Sequence, residues 1–234
     1  MSVNWDYVVP KQKKTRQMDA DDPLASPSLT LIVGGTGSGK STTMANILMA
    51  LQAKHDFDSG MFVTSNNRDP ILDTIEMPIT SSPKALDDYI TELKQAKEGT
   101  NHILVLDDIQ GSPDFKIMAN RSNFVNFMLS HRHYGEDKTK PGQNGTWVIM
   151  TAQTLKNSYS PQIRDQVKNM FLYYPRNPSH LKHYAEIAQD PVAMMRAMAL
   201  LRTKGNHAFL YLNKNNPERD RYFMGFKEEL IDLN

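Results

Sequence analysis

The chain has 234 residues, with 27 lysines and arginines against 26 aspartates and glutamates, so its net charge of +1 gives no global basic field for nucleic acid. It has no cysteine, which excludes disulfides and thiolate metal sites and suits a soluble protein of a reducing compartment. No apolar run approaches the roughly 20 residues of a membrane span, and the length suits one large α/β domain or one domain with an appendage.

Charges and prolines replace any apolar pattern in residues 1–27. This composition predicts an N-terminal arm that is extended and partly disordered. A basic cluster over residues 11–16 is followed by three aspartates over residues 19–22. Two interpretations stay open: the arm is a solvated tail, or its basic cluster binds a partner or DNA phosphates.

The segment Leu29–Thr42 predicts a buried strand, a glycine-rich turn and the start of a helix. Its turn fits the phosphate-binding P-loop pattern G-x-x-x-x-G-K-S. Glycines let successive backbone N–H groups point at phosphate oxygens, and the helix N-terminus adds positive potential. Lys40 is expected to reach the β- and γ-phosphates, and the Ser41 hydroxyl to bind Mg²⁺. The predicted nucleotide contacts are Gly34, Gly35, Thr36, Gly37, Ser38, Gly39, Lys40, Ser41 and Thr42.

Strands and helices then alternate up to residue 175, which predicts an α/β core over residues 28–175. Its architecture is expected to be the three-layer P-loop NTPase fold, with a mostly parallel sheet between helices. The later candidate strands are Met61–Thr64, His102–Asp108, Trp147–Thr151 and Met170–Tyr174. One helix is predicted after Pro83, and another over residues 115–133 with an apolar stripe of Met118, Val125, Met128 and Leu129.

Residues 176–234 predict a small C-terminal helix-hairpin appendage. Asn-Pro and Asp-Pro pairs, at residues 177–178 and 190–191, are typical helix starts, so helices are expected over about 178–189 and 191–203. The segments His207–Leu212 and Arg221–Phe226 alternate like two strands around a polar turn, which indicates a hairpin.

Two carboxylates end the apolar stretch Ile103–Leu106, at the edge of the sheet where the P-loop is also expected. Asp107 suits the Mg²⁺ shell through water, and Asp108 suits the orientation or deprotonation of an attacking water. The alternative is a turn pair that closes the strand. Gln153, just after the strand over 147–151, can bridge the γ-phosphate or the lytic water, or be an ordinary loop residue.

Phosphoryl transfer gains from a cation at the γ-phosphate, often donated by a neighbouring subunit, and the P-loop contains no arginine. Arg132 ends the predicted helix and could project beyond its own subunit; Arg121 and Arg164 are weaker candidates.

The composition of residues 135–145 predicts an exposed loop, in which Lys138 and Lys140 are either simply solvated or contact DNA or a neighbouring subunit.

Five sequence motifs, taken in chain order, resemble those of the poxvirus-type genome-packaging ATPases of large double-stranded DNA viruses and virophages, in the FtsK/HerA branch of P-loop ATPases. They are GGTGSGKST, ILVLDD, HRHYG, WVIMTAQ and SPQIRDQVKNMF, and they span roughly residues 28–175. The resemblance implies that the Gln153 strand lies between the P-loop strand and the Asp107 strand. It also implies ATP and Mg²⁺ as cofactors.

The resemblance further implies a homo-oligomeric ring, a pentamer or hexamer, that pumps double-stranded DNA into a preformed capsid. Its partners would be the DNA and capsid or vertex proteins, and its location the virion or a viral factory in the host cytoplasm. It assigns Lys40 and Ser41 to phosphate and Mg²⁺, Asp107 to Mg²⁺, Gln153 to sensing the nucleotide, and Arg132 to a neighbour's site.

The resemblance breaks at Asp108, where many relatives have glutamate. One fewer methylene places the carboxylate roughly 1.5 Å farther back. Either the catalytic base lies elsewhere or the backbone shifts to compensate.

The open alternatives for the function are another P-loop NTPase, either a GTPase or a small-molecule kinase, and a nucleotide-dependent assembly factor without turnover. The nearest match to the guanine-selecting N-K-x-D, at residues 213–216, lacks the aspartate.

Overall fold

The computed structural model describes residues 24–66, 72, 75–156, 159–214, 220–225 and 228–230. The predicted N-terminal arm lies outside the described residues as far as residue 23.

Within the described residues, nine strands form one sheet in the order β3-β2-β4-β5-β1-β6-β7-β8-β9. All pairs from β3 through to β6 are parallel, and β7, β8 and β9 continue the sheet in antiparallel pairs. The strands are β1 (Leu29–Val33), β2 (Ser59–Thr64), β3 (Ile79–Thr80), β4 (Asn101–Asp107), β5 (Gly145–Ala152), β6 (Asn169–Tyr173), β7 (Phe209–Asn213), β8 (Arg221–Met224) and β9 (Glu228–Glu229).

Helices cover both faces of this sheet, so the predicted three-layer, mostly parallel α/β fold is confirmed. They are α1 (Lys40–Lys54), α2 (Pro83–Leu93), α3 (Pro113–Ala119), α4 (Ser122–Ser130), α5 (Pro161–Gln166), α6 (Leu181–Ile187) and α7 (Pro191–Arg202). The helix α1 packs Met44, Ile47 and Leu51 against Ile32 and Trp147 on one face. The apolar faces of α2, α3, α4 and α7 form the core on the other face.

The strand order around β1 agrees with the order that the family resemblance implies. β5 lies between β1 and β4, with Val33 paired to Ala152 and Leu106 paired to Met150. The carboxyl ends of these three parallel strands therefore meet at one edge of the sheet, and this edge carries the P-loop, Asp107 and Gln153.

The prediction of a single helix over residues 115–133 is wrong. The chain forms α3 and α4 instead, followed by a 3-10 turn over His131–His133. The side chain of Asn120 donates to the carbonyl of Lys116 and closes α3, and Arg121 is extended at φ −71° and ψ 142°. Asparagine competes in this way for helix carbonyls, so the apolar stripe continues across two helices and leaves Leu129 39% exposed.

The C-terminal segment forms the two predicted helical stretches, and its two predicted strands extend the central sheet. β7 pairs antiparallel with β6, so that Tyr173 lies opposite Phe209. The rings of Phe171, Tyr211 and Phe223 stack across three adjacent strands, with centroids 4.9 and 5.4 Å apart. The hairpin is thus continuous with the core sheet, whereas the domain boundary at residue 176 stays a prediction.

A buried histidine makes the stability of this fold dependent on pH. His131 is 5% exposed, and its Nδ1 lies 2.7 Å from the carbonyl oxygen of Thr146, to which it donates as the neutral imidazole. Burial lowers the pKa of His131 to about 4, although the Thr146 hydrogen bond opposes the shift, and the nearby charges of Arg132, Lys168 and His133 lower it further. The unfolded chain therefore binds this proton at a higher pH than the folded chain does.

We expect the free energy of unfolding to fall by roughly 3 kcal/mol as pH falls from about 6.5 to about 4, and no further below that, from this group alone. Urea unfolding of the wild type and of His131→Gln, measured between pH 4 and pH 7.5, checks this. The variant should lose this part of the pH dependence, and parallel curves for the two proteins would contradict the assignment.

Candidate nucleotide-binding site

In the loop after β1, the positions of Gly34 and Gly39 require glycine for different reasons. The backbone N–H of Gly34 donates to the carbonyl of Ala152 at 3.0 Å, and a Cβ at this position would lie 2.9 Å from the Tyr173 side chain. Gly39 precedes α1 with φ 103°, a left-handed conformation that side chains disfavour. The loop therefore follows a tight path from β1 into the first turn of α1.

Lys40 lies over this loop at the start of α1. Its side chain is 8% exposed, and Nζ lies 3.5 Å from the carbonyl oxygen of Gly35. The first turn of α1 contains no acidic residue, so the positive helix end and the lysine act together on an anion. A buried hydrogen bond of 2.6 Å between the hydroxyls of Thr43 and Tyr173 fastens this turn to β6.

A threonine on β5 links the carboxylate of Asp107, the last residue of β4, to the backbone of Asp108. Thr151 donates its hydroxyl to Asp107 Oδ1 at 2.7 Å, and the same hydroxyl oxygen accepts the backbone N–H of Asp108 at 2.9 Å. Asp107 is 5% exposed, whereas Asp108 is half-buried. The two acids therefore differ in solvent access, as the two roles predicted for them require.

Asp108 has φ 49° and ψ 29° and is, within the described ranges, the one residue other than glycine with a positive φ. Aspartate tolerates this left-handed conformation better than most residues. Ser65 donates to the backbone carbonyl of Asp108 at 3.0 Å, and Gln153 Nε2 donates to Asp108 Oδ2 at 3.1 Å. The backbone thus departs from a regular strand at Asp108, where a compensating backbone shift is one of the two alternatives that the sequence left open.

The chemistry of the predicted donors fits Mg²⁺, which prefers oxygen ligands and keeps several waters and substrate phosphates in its shell. Ser41 offers a partly exposed hydroxyl at the start of α1, and Asp107 a carboxylate at the end of β4. No group of three or more histidine, aspartate or glutamate side chains that could hold a metal occurs among the described residues. A Mg²⁺ ion bound mainly through phosphates does not need such a group.

The structure places Arg132 at the opposite edge of the sheet from the P-loop. A Cβ at Gly145, the first residue of β5, would collide with the carbonyl of Arg132, whereas the last residue of β5 contacts Gly34. Eight strand residues separate the two edges by roughly 20 Å. Arg132 is exposed, with its Nε 3.2 Å from His133 Nε2. It therefore cannot act on the nucleotide of its own subunit.

The two weaker arginine candidates differ in orientation. Arg164 is turned inward, because its Nη1 donates to the carbonyl of Leu155 at 3.3 Å. Arg121 is exposed at the start of α4.

In the loop over residues 135–145, Lys138 Nζ lies 2.7 Å from Glu98 Oε1 in an exposed ion pair. A DNA or subunit contact of this loop stays a prediction.

Sequence reasoning missed two side chains that touch the P-loop. The guanidinium of Arg176 donates to the carbonyl of Thr36 at 2.7 Å, and the ring nitrogen Nδ1 of His207 lies 3.2 Å from the carbonyl oxygen of Ser38, to which it donates when protonated there. Both come from the C-terminal segment. Only the position of β6 beside β1 could have pointed to Arg176, and that pairing is not visible locally.

The same segment and the P-loop enclose a cavity of about 460 Å³. Its walls include Gly35 and Gly37 on one side and Pro175, Arg176 and Gly205 on the other. The guanidinium of Arg202 lies 5.8 Å from the centroid of the Tyr174 ring at the cavity rim.

Solved structures of ATPases share this fold. The genome packaging NTPase B204 from Sulfolobus turreted icosahedral virus 2, in complex with ATP-gammaS, matches with a TM-score of 0.57 and 13% identity over 86% of this chain and 98% of its own. B204, the DNA-packaging ATPase from Sulfolobus turreted icosahedral virus, matches with a TM-score of 0.54 and 16% identity over 86% and 99%. The pCW3 conjugation coupling protein TcpA matches with a TM-score of 0.58 and 14% identity over 87% and 61%.

These neighbours agree with the resemblance drawn from the motifs, and at such identities they establish the fold. No protein-family model matches the sequence, and no curated protein matches it either.

Among the helices of the described residues, none combines the length and the apolar character that crossing a membrane requires.

Proposed function

We propose that this chain, which has the fold of the P-loop ATPases, is a Mg²⁺-dependent ATPase that translocates double-stranded DNA and packages a viral genome into a preformed capsid. The observation that carries the ATPase proposal is the hydrogen-bonded set of Asp107, Thr151, Asp108 and Gln153 at the sheet edge that also bears the P-loop. The packaging proposal is supported by the motif resemblance and by the shared fold of B204.

In the proposed mechanism each of these side chains has a step in hydrolysis. The backbone N–H groups of the P-loop and Lys40 bind the β- and γ-phosphates. Ser41 and Asp107 would hold Mg²⁺, which offsets phosphate charge when bound. Asp108 orients the attacking water and accepts its proton, while the amide of Gln153 fixes the direction of that carboxylate. The bond from the γ-phosphorus to the bridging oxygen breaks as the water oxygen bonds, which yields ADP and phosphate.

The strand order supports one orientation for the bound nucleotide in this proposal. Asp108 and Gln153 lie on the β4 and β5 side of β1, so the γ-phosphate and the water belong on that side. β6 and the C-terminal segment lie on the other side, and the nucleoside end would enter the cavity beside Arg176 there. Residues 176–234 would then help to form the nucleotide site.

The position of Arg132 supports action on a neighbouring subunit. It lies at the edge of the sheet opposite the P-loop and is exposed, so a head-to-tail contact between subunits would bring it to the next site. Repetition of such a contact generates a ring, and a pentamer or hexamer with capsid partners is part of this proposal. Its location would be the virion or a viral factory in the host cytoplasm.

ATP hydrolysis measured with and without double-stranded DNA tests the function. We expect DNA to stimulate turnover severalfold in the wild type, because translocation couples the two. Turnover that ignores DNA but needs a small acceptor, or prefers GTP, would favour a kinase or a GTPase. Binding of ATP without hydrolysis would favour an assembly factor.

Mixing two inactive variants tests the proposed role of Arg132 in a neighbour's site. We expect Arg132→Ala to lower kcat by about 10³-fold, because an arginine supplied in trans stabilises transition-state charge. Adding Lys40→Ala subunits, which keep Arg132 but lack a working P-loop, should restore part of the activity. Light scattering would confirm that the two chains co-assemble.

The matched control is Arg196→Ala, an exposed arginine of α7 that was never a candidate for this role, and it should keep wild-type turnover. If co-assembled mixtures of the two inactive chains regain no activity, the assignment in trans is wrong.

A further inference from the structure

The cavity beside the P-loop has an outer wall to which the hydrolysis steps give no role. P-loop residues 35–38 line one side, and Tyr174, Arg176 and Arg202 form the outer wall together with neighbouring residues of the C-terminal segment. None of the described residues that line the cavity is acidic, so no carboxylate on its walls offsets the charge of its two arginines. Its volume of about 460 Å³ lies within the range of small-molecule sites, about 300–1,000 Å³. The cavity therefore suits an anionic small molecule.

The two arginines of the outer wall contact different groups. The guanidinium of Arg176 donates to the carbonyl of Thr36 at 2.7 Å, and its side chain passes 3.5 Å from the place of a Cβ at Gly35. Arg202 belongs to the last turn of α7, and its guanidinium carbon lies 5.8 Å from the centroid of the Tyr174 ring. Phosphates bound at the P-loop therefore lie beside Arg176, whereas the charge of Arg202 is directed to an aromatic ring.

Arg202 and Tyr174 bring two flat groups together at the cavity rim. Tyr174 directly follows β6 and is half-buried, whereas Arg202 is exposed. An exposed cation–π pair of this kind contributes little to the stability of a fold. A guanidinium is planar and weakly hydrated, and it stacks on aromatic rings and on nucleobases. A base that enters the cavity therefore meets a planar cation and an aromatic ring at one place, as stacking requires.

We infer that Arg202, over the ring of Tyr174, is the residue against which the base of the bound nucleotide stacks, so that the outer wall binds the nucleoside half of ATP. The inference rests on the proposed ATPase function, and it concerns the half of the substrate that the P-loop does not contact. Stacking uses the flat face of a base and depends little on which base it is. The pair therefore adds affinity for a nucleoside triphosphate without selecting adenine over guanine.

Two ligands separate the base from the phosphates. They are inorganic tripolyphosphate, which has no nucleoside, and the non-hydrolysable β,γ-methylene analogue of ATP, and titration calorimetry with Mg²⁺ measures the affinity of the full chain for each. We expect Arg202→Ala to weaken the ATP analogue about tenfold, the worth of one stacked base, and to leave tripolyphosphate unchanged. KM for ATP should rise by the same factor, while kcat stays at its wild-type value. Unchanged affinity for the ATP analogue, or an equal loss for both ligands, overturns the inference.

The variant Arg202→Lys distinguishes stacking from charge. Lysine keeps the positive charge at the end of α7 but lacks the planar guanidinium. It should therefore lose most of the affinity for the ATP analogue that Arg202→Ala loses, and the corresponding analogue of GTP should show the same losses in both variants. Wild-type affinity for the ATP analogue in Arg202→Lys would mean that charge alone matters, which overturns the stacking role.

Arg196→Ala is the matched control, because Arg196 is an exposed arginine of the same helix that does not line the cavity. It should bind both ligands as the wild type does, and a tenfold loss for the ATP analogue in this variant too would overturn the inference.

ATP hydrolysis by the wild type and by Lys40→Ala, measured in parallel, separates this inference from the proposed function. Wild-type turnover that Lys40→Ala abolishes supports the ATPase proposal even if Arg202→Ala binds the ATP analogue normally, which defeats the stacking role alone. A wild type that binds neither ligand defeats both proposals together.

Discussion

Replacing Lys40 with alanine should lower kcat for ATP hydrolysis by about 10³-fold or more, close to complete loss. Lys40 is 8% exposed, and its ammonium nitrogen lies 3.5 Å from the Gly35 carbonyl oxygen near the start of α1, where little water screens it. The charge that develops on the γ-phosphate during bond cleavage would meet no other cation in the P-loop itself. Steady-state phosphate release at saturating ATP and Mg²⁺ measures the effect.

Lys54→Ala is the matched control, because Lys54 belongs to the last turn of the same helix. It should keep wild-type turnover, and both variants should keep the wild-type thermal midpoint within a few degrees. Substantial turnover in Lys40→Ala would show that the Gly34–Ser41 loop does not bind the reacting phosphates.

Replacing Asp108 with asparagine should lower kcat by about 10³-fold and leave the affinity for ATP near its wild-type value. Asparagine tolerates the left-handed backbone of this residue as well as aspartate does, so the turn should persist. The Thr151 and Ser65 contacts use backbone atoms of Asp108 and also persist. The variant therefore removes the proton acceptor and its negative charge while the backbone contacts remain, and a fall in kcat without a rise in KM is diagnostic.

Binding of a fluorescent ATP analogue measures the affinity, and single-turnover kinetics measure the chemical step. Asp114→Asn, an exposed carboxylate in the first turn of α3, serves as the control for loss of one negative charge. If Asp108→Asn turns over at the wild-type rate, the catalytic base lies elsewhere, as the departure from glutamate left open.

Local patterns predicted the parts of the site that local chemistry determines. The glycine spacing and the apolar flanks fixed the position of the P-loop, and the apolar run before Asp107 fixed the end of β4. Thr151 carried no comparable signal, because it was the final residue of an ordinary predicted strand. Its bridge between two acids exists only because β5 lies beside β4.

Long-range pairing explains the remaining differences. The helical period of residues 115–133 continues through Asn120, so periodicity could not reveal that this side chain closes α3. The hairpin was predicted from its own alternation, but its attachment to β6 depends on residues far away in sequence. Arg176 contacts the P-loop because β6, the strand that precedes it, lies beside β1.

The continuity of the sheet from β6 into β7 has a consequence for any shortened version of the chain. β6 reads NMFLY and is buried along its whole length, with β7 paired to one edge. A fragment cut at the predicted boundary of residue 176 would keep every motif of the family resemblance but would leave this apolar strand with an open hydrogen-bonding edge. Open apolar edges recruit other strands, so such a fragment would aggregate. The C-terminal hairpin protects the parallel core of the sheet as well as extending it.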